Sequence, residues 1–138
     1  MNKTDLMQLV DIRLSEAEVL LEAKKYHGAY YLMGYTLECA IKVCITHQVQ
    51  QFDFPNKQLA QKSHTHDLSD LLAVAGLKQK LRKREISNED FEINWNIAKD
   101  WSESSRYDCT IKRQQAEDLF KAINNEHSGV LTWLKTYW

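Results

Sequence analysis

The sequence predicts an all-α fold, most simply an antiparallel four-helix bundle with one short additional helix. Three observations lead there. Apolar residues recur at helical spacing through most of the 138 residues. Proline occurs once, as Pro55, and glycine four times, at 28, 34, 76 and 129. Strands joined by tight turns normally need more of both. The apolar fraction is 43% and the charged fraction 27%, ordinary values for a domain that builds its own core.

The first helix is predicted from about Thr4 to Lys25, with Thr4 as cap and Leu6, Leu9, Val10, Leu14, Ala17, Leu20 and Leu21 on one face. Tyr26-His27-Gly28 reads as a short break, which implies an antiparallel hairpin. The second helix, about Gly28 to Gln48, is the most apolar: Ala29, Leu32, Met33, Leu37, Ala40, Ile41, Cys44 and Ile45 cover more than one stripe. Such a helix belongs at the centre, touching several neighbours. Val49 to His64, with Pro55, reads as a connection. A short helix starts near Thr65 or Asp67, carries Leu68, Leu71 and Leu72, and stops at Gly76. Leu77 to Arg84 continues for a turn or two. Ser87 caps a further helix to about Ser102, lined by Phe91, Trp95, Ala98 and Trp101. The last helix is expected from about Ile111 to Trp138, with a kink or a close contact at Gly129.

One domain fits the length, residues 1–138. Net charge is −1, which argues against whole-domain electrostatic capture of nucleic acid or anionic membrane. Three cysteines, Cys39, Cys44 and Cys109, form no disulfide framework. No run approaches ~20 apolar residues, and the amino terminus resembles no signal peptide. A cytoplasmic protein without cofactor or membrane span is the expectation.

Several groups could carry chemistry. His64-Thr65-His66-Asp67 offers metal-type ligands, with Cys44 and His47 a loose second pair, but a capping role is the simpler reading, and no metal is expected. Lys78, Lys80, Arg82, Lys83 and Arg84 form the basic cluster, either a solvated face or a phosphate contact. His127 falls on the inner side of the predicted last helix. Glu38, in an apolar run, needs a donor. Lys42 is one turn away in the order favouring an ion pair, and Arg106 could supply a bidentate fork. Tyr107 adds a stacking face. Glu38, Lys42, Arg106 and Tyr107 are therefore the candidate polar or ligand-binding site. Tyr30, Tyr31 and Tyr35 with Trp133, Tyr137 and Trp138 supply surplus aromatic surface, which suggests a homodimer.

Tyr26-His27-Gly28-Ala29-Tyr30-Tyr31, then Leu37-Glu38-Cys39-Ala40-Ile41-Lys42, then His66-Asp67-Leu68 with Leu71, then Trp101 with Ser105-Arg106-Tyr107 together resemble the HEPN family. The resemblance spans about residues 6 to 135. It implies a helical bundle that often dimerises, found in RNA-cleaving toxins, beside nucleotidyltransferases in toxin–antitoxin pairs, and in defence proteins. Catalytic members carry an arginine followed, after four to six residues, by a histidine, and cleave RNA without metal. Here the positions after Arg106 hold Ile111, Lys112 and Arg113; those after Arg113 hold Asp118, Leu119 and Phe120; Arg13, Arg82 and Arg84 fail likewise. The resemblance thus implies a noncatalytic module, with no catalytic residue, that binds a nucleotidyltransferase-type partner, nucleotide or RNA. The alternative is an atypical metal-independent ribonuclease using His127, His66 or His64 with Arg106.

Overall fold

The computed structural model describes residues 1–52 and 61–138, and their fold is all-helical, with no strand among them. The centre of the expected connection after the second helix, residues 53–60, lies outside the described residues. The helices are α1 (Lys3–Glu22), α2 (Tyr26–Phe52), α3 (Leu68–Val74), α4 (Lys78–Ser87), α5 (Glu89–Lys99), a 3₁₀ turn η1 (Glu103–Tyr107), α6 (Arg113–Asn124) and α7 (Val130–Lys135). No helix among the described residues is long and apolar enough to cross a membrane.

α1 and α2 form the predicted hairpin, but the break falls three residues earlier than expected. Lys25 N–H reaches Leu20 O at 2.8 Å and Lys24 N–H reaches Leu21 O at 3.0 Å. That double bond closes a helix with a left-handed residue just beyond its cap. Lys24 fills that position at φ 62°, and Tyr26 to Gly28 already belong to α2. Asn2, rather than Thr4, caps α1: its side chain accepts from Asp5 N–H at 2.8 Å, and Asp5 accepts in return from Asn2 N–H.

α2 is the central element, as its wide apolar surface predicts. It packs against α1, α3, η1, α6 and α7. Met33, Leu37, Ala40 and Ile41 are fully buried along it, together with Leu71, Leu72, Leu119 and Leu134 from its neighbours. At Gly34 the backbone meets Trp101 face on. A β-carbon there would lie 2.0 Å from the indole Cε2. The missing side chain is what lets the end of α5 sit down on α2.

α3 begins at Asp67, whose carboxylate accepts from Asp70 N–H at 2.9 Å. It ends at Gly76, φ 73°, in the same double-bonded closure that ends α1. α4 then stands as a separate helix, and Asn88, not Ser87, caps α5 through Phe91 N–H.

The predicted last helix is two helices. Asn125 Oδ1 accepts from His127 N–H at 3.0 Å and Ser128 N–H at 2.8 Å, taking donors that a continuing helix would use itself. Asn88 and Asn94 of α5 hold Ser128 from outside, by its hydroxyl and its carbonyl. Gly129 completes the corner, where a β-carbon would meet the Asn125 carbonyl at 2.4 Å. His127 is consequently exposed on the turn rather than on an inner helix face.

Candidate functional site

Three elements meet around Glu38. α2 carries the carboxylate at its buried midpoint, 1% exposed. The turn leading into α3 carries His66, held where Thr65 Oγ accepts from Asp67 N–H at 3.2 Å and Asp67 caps the helix. η1 carries Glu103 and Arg106 on successive turns, and Ser102 Oγ starts it by accepting from Ser104 N–H.

These side chains form one continuous chain of polar contacts. Glu38 Oε1 contacts His66 Nδ1. His66 Nε2 contacts Glu103 Oε2 at 2.9 Å, and Glu103 Oε1 contacts Arg106 Nη2 at 3.3 Å. Arg106 then lies over the Tyr107 ring, 4.8 Å from its centre. An imidazolium has two N–H donors and satisfies both carboxylates, whereas a neutral ring satisfies only one. Tyr107 does most to raise the Arg106 pKa, and a hydrogen bond to Tyr31 and the Glu103 charge act in the same direction.

Of the four sequence-predicted residues, only Arg106 and Tyr107 are brought together. Arg106 and Tyr107 stack together on the surface, Tyr107 being 75% exposed. Arg106 does not fork onto Glu38 as predicted: His66 occupies the carboxylate, and Glu103 intervenes because a 3₁₀ turn places it three residues before Arg106. The expected Glu38–Lys42 ion pair is also absent among the described residues. Lys42 is half-buried, and its charge partly offsets the burial that leaves the Cys39 thiol pushed up to about 11.

Sequence reasoning placed His66 in a motif but not against Glu38, and it missed Glu103 altogether. A histidine just before a capped helix was the available signal for the first. Nothing in the polar string 102–105 distinguishes Glu103. Among the described residues no three potential ligands gather in a metal-binding arrangement. His66 is engaged by the two carboxylates, and Asp67 by the α3 cap.

This chain of contacts flanks an open cleft of ≈ 380 Å³, walled by His66, Trp101, Ser102, Ser104 and Tyr107 among others. Trp101 Nε1 and Ser105 Oγ, both buried at the η1 junction, have no hydrogen-bond partner among the described residues. The arrangement can hold an exposed aromatic–guanidinium pair rigidly, because its anchor reaches the core. It is poorly suited to proton transfer in this state, since both nitrogens of the imidazole are occupied. Comparisons of the chain with protein-family models, with curated proteins and with solved structures return no match.

Proposed function

We propose that this chain is a noncatalytic, HEPN-like binding module that docks onto a partner protein through the surface around Arg106 and Tyr107. The observation that carries the reading is the exposed Arg106–Tyr107 stack, tied through Glu103 and His66 to a buried carboxylate. Arginine and tyrosine are the side chains that most often dominate interfaces, and holding them in place before docking reduces the entropy lost on binding. The Glu103 carboxylate beside the stack makes a protein surface a better fit than a bare phosphate. In this reading α1, α2, α5 and α6 are the four bundle helices. The resemblance supplies the partner class, a nucleotidyltransferase of a toxin–antitoxin or defence pair. The aromatic residues that suggest a homodimer in the sequence do not supply its surface, since Trp133 is buried and Tyr30, Tyr31, Tyr35, Tyr137 and Trp138 pack against the core; a second copy is left exposed apolar residues such as Ile12 and Val19 on α1.

A nucleotidyltransferase gene beside this one would favour the reading, and isothermal titration against its product tests the docking. Tyr107→Ala and Arg106→Ala should each weaken it by about 1–3 kcal/mol, with unchanged melting. Binding that neither substitution alters would overturn the assignment. The ribonuclease reading draws on one specific observation, that Glu103 joins His66 to Arg106. RNA cleavage in EDTA, abolished by both His66→Ala and Arg106→Ala, would favour it over docking.

A further inference from the structure

The contacts around His66 depend on how many protons its ring carries. α2 faces the ring with Glu38, which has Cys39 and Lys42 as neighbours on the helix. The turn into α3 brings Asp67, committed to the helix cap. η1 brings Glu103, with Arg106 behind it and Tyr107 on the wall of the same cleft. With His66 as an imidazolium, two cations serve the carboxylates of Glu38 and Glu103. With a neutral ring, only Arg106 remains charged, and it reaches Glu103 alone.

A neutral ring keeps one N–H and turns a bare lone pair toward the other carboxylate. The two carboxylates do not compete for that N–H on equal terms. Among the described residues no other hydrogen bond reaches Glu38, which lies buried in the apolar middle of α2. An ionised carboxylate left there without a donor is costly. The Glu103 side chain is 29% exposed and has both water and Arg106 to turn to. The remaining proton therefore stays on Nδ1, facing Glu38, and the proton released to solvent comes from Nε2. The contact that breaks is the one at 2.9 Å between the α3 turn and η1.

We infer that His66 is a pH-sensitive latch: protonated, it ties η1 to the core and holds Arg106 against Tyr107; neutral, it lets Glu103 go. The latch regulates the Arg106–Tyr107 surface and takes its purpose from the docking role proposed for it. η1 itself stays folded in both forms, because its backbone bonds from Ser105 N–H to Ser102 O and from Asp108 N–H to Ser105 O do not involve the ring. What changes is the Glu103 side chain. Once free of His66, its carboxylate rotates and draws the Arg106 guanidinium off the tyrosine. A pair fixed before docking loses less freedom on binding than one that docking must fix. The neutral form should therefore dock roughly tenfold more weakly, the order expected for one or two side chains.

An NMR titration of the free chain from about pH 5 to 8, the range in which histidines change charge, tests the latch without a partner. The Tyr107 ring current moves the Arg106 side-chain protons upfield while they lie over it. Those protons should lose most of that displacement as pH rises, with the same midpoint as the His66 ring signals. His66→Gln, whose amide still offers Glu38 a donor and does not titrate, should abolish the pH dependence. Glu103→Gln should leave the His66 titration in place and uncouple Arg106 from it, since a side-chain amide can face either form of the ring. Arg106 signals that stay fixed while His66 titrates, or that still move with pH in the His66 variant, would overturn the latch. The titration involves no partner, so it can fail while docking stands, and docking can fail while it succeeds.

Discussion

Gly34→Ala sets two effects of opposite sign against each other. Alanine in a helix interior is favoured over glycine by about 1 kcal/mol, so local propensity alone makes the substitution stabilising. Packing opposes it. The new methyl would stand 2.0–2.2 Å from three atoms of the Trp101 indole, where carbon contacts need about 3.5–4.0 Å. The ring must retreat by roughly 1.5 Å to restore an ordinary contact of that kind. Trp101 is itself buried, and Tyr31 lies against it at 6.1 Å between ring centres, so the retreat displaces a second aromatic residue. Overpacking of a dense core typically costs about 1–3 kcal/mol and occasionally more. Near the top of that range, less the gain in propensity, the net loss is about 2 kcal/mol. Urea denaturation should show it directly, and thermal melting as a drop of roughly 6–10 °C. Trp101→Leu relieves the clash, so Gly34→Ala and Trp101→Leu should cost less together than their sum, by about 1–2 kcal/mol. A Gly34→Ala protein as stable as the parent or more so would refute the argument.

Other substitutions test different links. Lys24→Gly should stabilise the fold by about 0.5–1 kcal/mol in urea denaturation, because it relieves a left-handed lysine; an unchanged or lower midpoint would show that the closure carries no strain. Glu38→Ala should cost about 2 kcal/mol through the lost charge-assisted bond to His66, and Glu38→Gln, which keeps an acceptor, distinctly less; equal losses would assign the effect to volume instead. Burial raises the pKa of both Cys39 and Cys44 from 9.0 to about 11, so their thiols hold their protons more tightly folded than unfolded. Stability should therefore be level below about pH 9 and fall as pH rises through about 11, with Tyr30 and Tyr35 adding to the loss in the same direction. At pH 8 a thiol reagent should modify Cys109 alone in the native protein; rapid reaction of Cys39 or Cys44 would contradict their burial.

What the sequence made legible was whatever depends on local pattern. The α1–α2 hairpin follows from periodicity and a short gap. The stop at Gly76 follows because a left-handed cap favours glycine, whereas the same closure at Lys24 is invisible in the sequence because lysine carries no such signal. The corner at 125–129 depends on Asn88 and Asn94, residues of another helix, so reading along the chain joined α6 to α7. At the candidate site, burial of Glu38 in an apolar run announced the need for a donor. Which donor arrives is a tertiary fact: Arg106 and His66 both met the chemical requirement, and the geometry of η1 chose the histidine. The contact between Gly34 and Trp101 was illegible for the same reason, since neither residue's neighbours in sequence refer to the other.

The thiol of Cys44 donates to the carbonyl of Leu134 at 3.7 Å, across 90 residues of chain. This fastening places the end of the fold against the helix that is made second. On a ribosome, α2 emerges long before its last neighbour exists. At roughly 5–20 residues per second, several seconds separate Phe52 from Leu134. Through that interval the most apolar helix of the protein is covered on the α1 side and bare where α6 and α7 will lie. The nascent chain therefore passes through a stage with a ready-made chaperone target, and its exposure ends only when the carboxy-terminal helix docks. Removing residues 130–138 would leave α6 to dock but keep the α7 side of that helix bare.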